Sequence, residues 1–170
     1  MKVACAWCQK LLVEDASGDA KISHGICEDC LRRMVGGSVR LGDFLNRLDF
    51  PVLVTDRDLT VVEANRAAET IAGSSRTQLK AGPTGVAIEC YYAGLPGGCG
   101  QTSHCHGCAL RQTIVDTYAD GQARCGVYAV PQPPADTKGR IVQFRFSTHK
   151  VGDSIMVVIE ETKIVDRAGP

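Results

Sequence analysis

The chain has 170 residues, 44% of them apolar, which is enough to form the core of one ordinary domain or of a small module plus a domain. Lys and Arg together number 19, as do Asp and Glu, so no overall charge favours nucleic acid or a membrane surface. The longest apolar run, residues 155–159, is far too short to cross a bilayer, and the N-terminus lacks the apolar stretch of a signal peptide. We therefore expect a cytoplasmic protein, in which disulfides are rare and clustered cysteines are more often metal ligands or redox groups.

Residues 1–35 are polar and contain four of the nine cysteines, in the pattern C-x2-C-x18-C-x2-C. These N-terminal cysteines are Cys5, Cys8, Cys27 and Cys30. Two knuckles at this separation can turn four thiolates toward one point and so complete the tetrahedron that Zn²⁺ prefers. The segment has few apolar residues, and metal binding can supply roughly 10–16 kcal/mol of folding free energy to such a peptide. The pattern predicts a four-cysteine zinc module over residues 1–35, and free thiols without metal are the competing interpretation.

Two other residues of this segment have more than one possible role. His24 lies three positions before Cys27. It is an alternative zinc ligand, a partner of the ligands or a packing histidine. Trp7 lies between Cys5 and Cys8, and is most simply a hydrophobic lid on the module, or else an anchor for a partner.

Residues 36–48 are predicted to form a hinge followed by a flanking helix. The hinge is the Gly36-Gly37-Ser38 break. The helix is indicated by apolar residues at helical spacing, namely Leu41, Phe44, Leu45 and Leu48. The remaining part, residues 49–165, is predicted to be one α+β domain.

The first half of that domain has the order strand, turn, strand, helix, predicted over residues 51–55, 56–58, 59–63 and 65–72. Asn65 is a suitable N-cap for the helix, and Gly73 a suitable C-terminal stop. Residues 81–107 are rich in glycine and predicted to be irregular, and a loop of this length is usually functional or held by something.

The second half begins with a helix that starts at Cys108 and ends near Gly121, as its apolar spacing indicates. Three strands then close the domain, predicted over residues 123–130, 141–148 and 154–159, with residues 131–139 as the turn between the first two.

Two stretches resemble known families. The strings CAWCQKL (residues 5–11) and SHGICEDC (residues 23–30) resemble a small zinc-binding motif often attached to bacterial PAS, kinase and response-regulator proteins. The string LDFPVLVTDRDLTVVEANRAAETIAG (residues 48–73) resembles the opening of a PAS sensor domain. The matching positions are Val52–Val54, Asp56, Val61–Val62 and Asn65. The resemblance, over residues 41–164, implies a five-stranded antiparallel sheet with helices on one face and a sensor of small molecules, redox state or light.

The loop cysteines are Cys90, Cys99, Cys105 and Cys108, separated by eight, five and two residues. Only the last pair is a knuckle, so this metal pattern is weaker than the first. Glycines can adopt positive φ and let the backbone wrap a compact site; here they are Gly97, Gly98, Gly100 and Gly107. Cys108 lies at the predicted helix start, where the helix dipole and free N–H groups stabilise a thiolate.

Three interpretations of the loop cysteines stay open. They are an iron–sulfur cluster, a second zinc ion, or a thiol switch between Cys105 and Cys108. Certain bacterial PAS sensors hold an oxygen-labile cluster on four cysteines, and the present arrangement is similar in kind, although those sensors have two knuckles. His104 and His106 flank Cys105 and are alternative ligands or ordinary solvent-facing residues. Cys125 is predicted to be a buried strand residue outside the site.

These patterns predict a sensor rather than an enzyme, since the sequence has no phosphate-binding loop, nucleophile elbow or kinase motif. We expect a PAS-type protein that detects redox state, oxygen or a small ligand and relays it to a signalling partner or within a homodimer. We expect no membrane contact and no nucleic acid, because the N-terminal module has few Lys and Arg to neutralise phosphates. The alternatives are a structural adaptor with two zinc sites and a thiol–disulfide enzyme using Cys105 and Cys108.

Overall fold

The computed structural model describes residues 2–14, 22–33, 40–131 and 140–166. In chain order the elements are β1 (Lys2–Cys5), β2 (Leu11–Glu14), β3 (Ile22–Gly25), α1 (Glu28–Arg33), α2 (Leu41–Leu45), β4 (Val52–Thr55), β5 (Val61–Ala64), α3 (Arg66–Ala72), α4 (Arg76–Leu79), α5 (Thr84–Ala87), 3-10 turns at Tyr91–Gly94 and Ser103–Gly107, α6 (Ala109–Asp120), β6 (Arg124–Ala129), β7 (Arg140–Val151) and β8 (Ser154–Asp166). The predicted hinge at residues 36–38 lies outside the described residues.

The N-terminal module is built on a small three-stranded sheet in the order β2-β1-β3. Strand β1 pairs antiparallel with β2 and parallel with β3. Among the residues of this part that the structure describes, Cys5, Cys27 and Cys30 form one buried cluster with Leu12 and Ile26 packed against it, and Val3 and Ala4 of β1 are buried as well. A core this small supports the expectation that metal binding stabilises the module.

The second sheet has five strands in the order β5-β4-β8-β7-β6, and every neighbouring pair is antiparallel. Together with the helices it confirms the predicted α+β class and the five-stranded antiparallel sheet. The first and last of its strands in the chain, β4 and β8, lie side by side at its centre.

Both faces of this sheet are covered. On the helix face, α3 to α6 pack over residues that include Leu53, Ile155, Val157 and Ile159. The outer face carries Val52, Val54, Met156 and Val158, which pack against Phe44 and Leu45 of α2. Successive side chains in a strand point to opposite faces, so strands covered on both sides are apolar throughout. This explains the continuous apolar runs of β4 and β8 and places α2 on the face opposite the other helices.

The predicted start and end of α3 are confirmed. The Oδ1 atom of Asn65 accepts the N–H of Ala68, and the N–H of Val52 as well, both at 2.9 Å. Gly73 is the C-cap and has a left-handed backbone with φ of 57°. The Nδ2 group of Asn65 donates to the carbonyl oxygens of Leu45, Leu48 and Phe50. Asn65 therefore caps α3 and also anchors the segment that joins α2 to β4.

The strand predicted at residues 59–63 begins two residues later, at Val61. The Oδ1 atom of Asp56 accepts the N–H groups of Asp58 and Thr60, both at 2.9 Å. Leu59 has a left-handed φ of 64°. These bonds extend the predicted turn through Thr60, so the strand starts after it.

Residues 81–107 are more ordered than the prediction of an irregular loop, because they contain α5 and two 3-10 turns. The turns form through local backbone bonds such as Ala93 N–H to the Cys90 oxygen and Cys105 N–H to the Thr102 oxygen, both 3.0 Å. Three predicted glycines have left-handed φ values of 98°, 76° and 88°, at Gly97, Gly98 and Gly100. Gly107 lies outside that region.

The C-terminal order of helix and three strands is confirmed. Cys108 is the N-cap of α6 and Gly121 its left-handed C-cap, with φ of 72°. Strands β7 and β8 are longer than predicted, ending at Val151 and Asp166. Of the turn predicted at residues 131–139, residues 132–139 lie outside the described part of the chain.

Candidate functional site

The structure brings the four N-terminal cysteines together. Their sulfur atoms all lie within 4.8 Å of one another. The Cys8 and Cys27 sulfurs are 3.7 Å apart, close to the separation of about 3.8 Å between thiolates that surround one zinc ion at roughly 2.3 Å. Cys5 ends β1, Cys8 lies in the following turn, and Cys27 and Cys30 lie just before and within α1. Two turns that are distant in sequence thus supply two ligands each.

Backbone N–H groups point at the sulfurs of this cluster. The N–H of Cys27 donates to the Cys5 sulfur at 3.4 Å, and the N–H of Cys30 to the Cys27 sulfur at 3.5 Å. Burial raises the pKa of Cys5, but hydrogen bonds from the Cys8, Cys27 and Trp7 backbone outweigh it and lower the pKa to about 6. Burial and then the neighbouring cysteines raise the pKa of Cys30. Four adjacent thiolates need a cation to balance their charge, and a sulfur-only tetrahedral donor set fits Zn²⁺.

His24 and Trp7 both contact the larger domain. The His24 ring stacks on Phe50 with centroids 4.8 Å apart, so it packs against the segment before β4 and lies outside the four-sulfur group. The Trp7 ring stacks on Phe44 at 4.8 Å, and the guanidinium of Arg47 lies 5.0 Å from its centroid. Trp7, which was predicted to be a hydrophobic lid on the module, therefore packs against α2.

The loop cysteines line one cavity of about 250 Å³ beside the helix face of the large sheet. Cys90 precedes the first 3-10 turn, Cys99 follows it, Cys105 lies in the second turn and Cys108 caps α6. All four are half-buried. Two 3-10 turns and the start of α6 therefore bring residues that are up to 18 positions apart to the wall of one cavity.

The loop cysteines are spaced more widely than the N-terminal ones. Among the described residues, which include all nine cysteines, the N-terminal group is the one set of three or more Cys, His, Asp or Glu residues whose ligand atoms lie within 4.8 Å of each other. The loop sulfurs therefore surround the cavity without converging at the distance a single metal ion requires. None of the nine cysteines forms a disulfide.

The loop cysteines differ in their electrostatic surroundings. Burial raises the pKa of Cys99, and the charges of the other three loop cysteines raise it further. Burial also raises the pKa of Cys105, but this is outweighed, and the pKa is lowered, by hydrogen bonds from Thr102 and Gly100 and by the charge of Arg111. The Gly100 N–H lies 3.2 Å from the Cys105 sulfur, and the Thr102 hydroxyl is also at 3.2 Å. Cys105 is thus the loop cysteine with the most hydrogen-bond donors on its sulfur among those that the structure describes.

The histidines near Cys105 lie in different places. His104 is exposed but lines the cavity, with its ring stacked on Tyr92 at 4.1 Å. His106 is exposed and does not line it. Cys125, which was predicted to be buried, is half-buried, because it lies in the edge strand β6.

Sequence reasoning missed several residues of the cavity wall, including Gly85, Tyr92 and Tyr128, and it also missed Thr102, whose hydroxyl contacts the Cys105 sulfur. A Cβ atom at Gly85 would lie 2.7 Å from the Cys99 sulfur, so only glycine leaves room for that side chain. No motif marks these positions, because their contacts are made between separate turns of the chain.

Each helix that the structure describes is too short or too polar to cross a bilayer.

No family model matches this chain, and no curated protein does. Among solved structures it is similar to a domain of a sensory box sensor histidine kinase/response regulator from Geobacter sulfurreducens, at 11% identity and a TM-score of 0.46, covering 69% of this chain and 88% of that one. It is also similar to the photoactive yellow protein domain of the sensor histidine kinase Ppr from Rhodospirillum centenum, at 12% identity and a TM-score of 0.44, covering 76% and 97%. A PAS domain from Colwellia psychrerythraea is a third, at 14% identity and a TM-score of 0.44, covering 69% and 89%.

Proposed function

We propose that this chain is a sensor that detects redox state or oxygen through a cofactor held by the loop cysteines, and that it relays the change to a partner protein or a second copy. The observation that carries the proposal is the meeting of four cysteines on the wall of one cavity at the start of α6. The role is one of binding and relay rather than catalysis. We place it in the cytoplasm, where thiols stay reduced.

An iron–sulfur cluster is the occupant that the spacing supports best. A cluster places several iron and sulfide atoms between its thiolates, so the cysteine sulfurs stand farther apart than around one zinc ion. Among the described residues, the loop sulfurs form no set of three or more ligand atoms within 4.8 Å of one another, whereas the four N-terminal sulfurs form such a set, with Cys8 and Cys27 at zinc distance. When bound, such a cluster supplies one-electron and oxygen-sensitive chemistry.

The surrounding groups fit a negatively charged sulfur site. The Thr102 hydroxyl and the Gly100 N–H reach the Cys105 sulfur, and the positive charge of Arg111 stabilises its thiolate. Hydrogen bonds to sulfur and nearby charge both stabilise thiolate ligands and tune the potential of a cluster.

The relay begins at Cys108, because this residue is both a wall of the cavity and the N-cap of α6. Helix α6 packs on the sheet through buried Ile114 and through a 2.7 Å hydrogen bond between the hydroxyls of Thr117 and Thr148. A change in the bonds of Cys105 and Cys108 therefore alters the start of a helix whose other end is attached to the sheet. A partner protein then binds the altered surface with a different affinity.

Hydrogen–deuterium exchange tests this function without a known partner. Protein purified without oxygen and then exposed to air should exchange faster at residues 81–107 and in α6, because oxidation removes the bonds that hold them. The double variant Cys105→Ser/Cys108→Ser should exchange at the same rate before and after exposure.

Cys125→Ser is the matched control, since Cys125 is half-buried and lies outside the cavity wall. It should respond to air as the wild type does. A wild-type protein whose α6 exchanges equally in both states, or a double variant that still responds, contradicts the proposed function.

A further inference from the structure

The N-terminal module contacts the larger domain through two aromatic stacks. Trp7 stacks on Phe44 of α2, with ring planes 25° apart, and His24 stacks on Phe50, with planes 26° apart. Arg47 adds a cation–π contact to the same Trp7 ring. Aromatic pairs of this kind stabilise a contact beyond the effect of the apolar area that they bury. Both stacks join the module to the short segment that precedes β4.

Each stacked ring of the module lies in a segment that borders the cysteine cluster. Trp7 lies in the turn between Cys5 and Cys8. His24 precedes Gly25, whose carbonyl oxygen accepts the N–H of Ala6 at 2.9 Å. The turn that carries Trp7 and the strand that carries His24 are thus bonded to each other, and the small core beside them contains three cysteines. The positions of Trp7 and His24 therefore depend on whether the four sulfurs are held together.

The module also covers part of the outer face of the large sheet. Ile26 packs against the cysteine core and also against the outer-face cluster that includes Phe44, Val54 and Met156. The module backbone at Gly25 lies close to strand β7. A Cβ atom added to Gly25 would be 3.5 Å from the Nδ1 atom of His149. His149 is only 7% exposed under this cover. The covering element of the outer face is thus this chain's own metal module together with α2.

Helix α2 connects the module to the rest of the domain. The backbone after Phe44 is held by Asn65, which accepts from β4 and caps α3. Gly42 lies against the guanidinium of Arg76, which makes two hydrogen bonds to the mostly buried carboxylate of Glu63. A displacement of α2 therefore reaches both β5 and α4.

We propose that the N-terminal metal site is a clasp that controls the cover of the outer sheet face. Metal bound by the four N-terminal cysteines fixes the two module rings on α2 and the segment after it. Loss of the metal releases the rings, uncovers the outer-face cluster and loosens α2. The proposal depends on metal binding at the N-terminal cysteines and is independent of what occupies the loop cysteines.

Trp7 is the single tryptophan of the chain, so its fluorescence reports the clasp directly. Removing metal from the full-length protein with a chelator should shift the Trp7 emission to longer wavelength. Because 37% of Trp7 is exposed in the clasped state, acrylamide quenching should rise about two- to threefold. Adding zinc should restore both values, and hydrogen exchange at residues 41–50 should rise and fall with them.

Phe44→Leu separates the clasp from metal binding, because it keeps an apolar side chain of similar size but removes the ring under Trp7. This variant should retain as much zinc as the wild type yet show the red-shifted, more quenched Trp7 emission. Tyr118→Leu is the control, since it removes a ring that contacts Lys150 on the helix face and should leave Trp7 emission unchanged.

The proposal is overturned if metal removal leaves Trp7 emission and exchange at residues 41–50 unchanged. It is also overturned if zinc-loaded Phe44→Leu is indistinguishable from the wild type, or if the wild type holds no metal at these cysteines. None of these results bears on the loop cysteines, whose response to air is measured separately.

Discussion

Gly85 in α5 lies against the sulfur of Cys99. An added Cβ would be 2.7 Å from that sulfur and 3.1 Å from the Cβ of Ala93, both closer than side chains normally approach. Gly85 is therefore needed to leave room for the Cys99 side chain. It is not needed to form a turn, because its own backbone is helical.

Gly85→Ala should displace Cys99 and reduce the amount of the cofactor that we propose for the loop cysteines. Alanine favours a helix over glycine by about 1 kcal/mol, but overpacking costs typically about 1–3 kcal/mol, so stability should change little or fall. Iron, sulfide and zinc content, with a thermal unfolding curve, measures both effects.

Gly94→Ala is the matched control, because nothing lies within 4 Å of its Cβ position, its φ is not left-handed and it does not line the cavity. It should keep the cofactor at the wild-type level. If Gly85→Ala retains as much cofactor as Gly94→Ala, the cavity geometry described for Cys99 is wrong.

For single residues, the sequence predicted the features that depend only on neighbouring residues in the chain. Asn65 as N-cap and Gly73 and Gly121 as stops follow from the backbone needs of a helix end, which involve a few neighbouring residues. Gly85 and Thr102 were not predicted, because each matters through a sulfur that the folded chain brings beside it.

At the scale of elements, the approach of β3 to β7 buries an ionisable side chain between two sheets. His149 on β7 lies under Gly25, and its Nε2 atom has no hydrogen-bond partner among the described residues. The charged or titratable groups that influence it are Glu160 on β8 and His24 on β3. Arg145, also on β7, pairs with Glu160 at 3.1 Å.

Stability should therefore fall below neutral pH. Burial lowers the pKa of His149 to about 4, with His24 lowering it further and Glu160 opposing, whereas the unfolded chain keeps a value near 6.5. The unfolded state thus binds the proton first, and the stability present above pH 6.5 is lost as pH falls toward 4. The loss from pH 7 to pH 5 should be about 2 kcal/mol.

Urea unfolding at pH 7 and pH 5 measures this loss, and His149→Gln should remove most of it. Exposed His106 provides the comparison, because His106→Gln should keep the wild-type difference between the two pH values. An equal pH dependence in the wild type and His149→Gln would show that burial of this imidazole is not linked to folding.

Element order was largely predictable and element detail was not. The alternation and apolar runs of the sheet strands follow from burial, which acts on every residue of a strand. Within residues 81–107 the short turns depend on single backbone bonds and on glycines with left-handed φ, so composition indicated only that the segment was irregular. The end of β8 at Asp166 follows from pairing with β7, which a local pattern does not show.

At the scale of the whole molecule, the two cysteine groups lie on opposite sides of one sheet. The N-terminal group belongs to the module on the outer face, and the loop group belongs to the turns on the helix face. The first was predictable as a convergent site, because knuckle spacing alone brings four sulfurs together. The spacing of the second offered no comparable constraint, and its wider arrangement around a cavity follows only from the fold.

The N-terminal cysteines are proposed to bind a zinc ion and the loop cysteines an iron–sulfur cluster. Metal and sulfide analysis of protein purified without oxygen tests this difference most directly. We expect zinc equal to the protein in amount, together with iron and acid-labile sulfide and a visible absorption band that Cys105→Ser removes while the zinc remains. Colourless protein with twice that amount of zinc would contradict the account and support two structural zinc sites. Colourless protein with no iron and with free loop thiols would also contradict the proposal that the loop cysteines hold a cofactor.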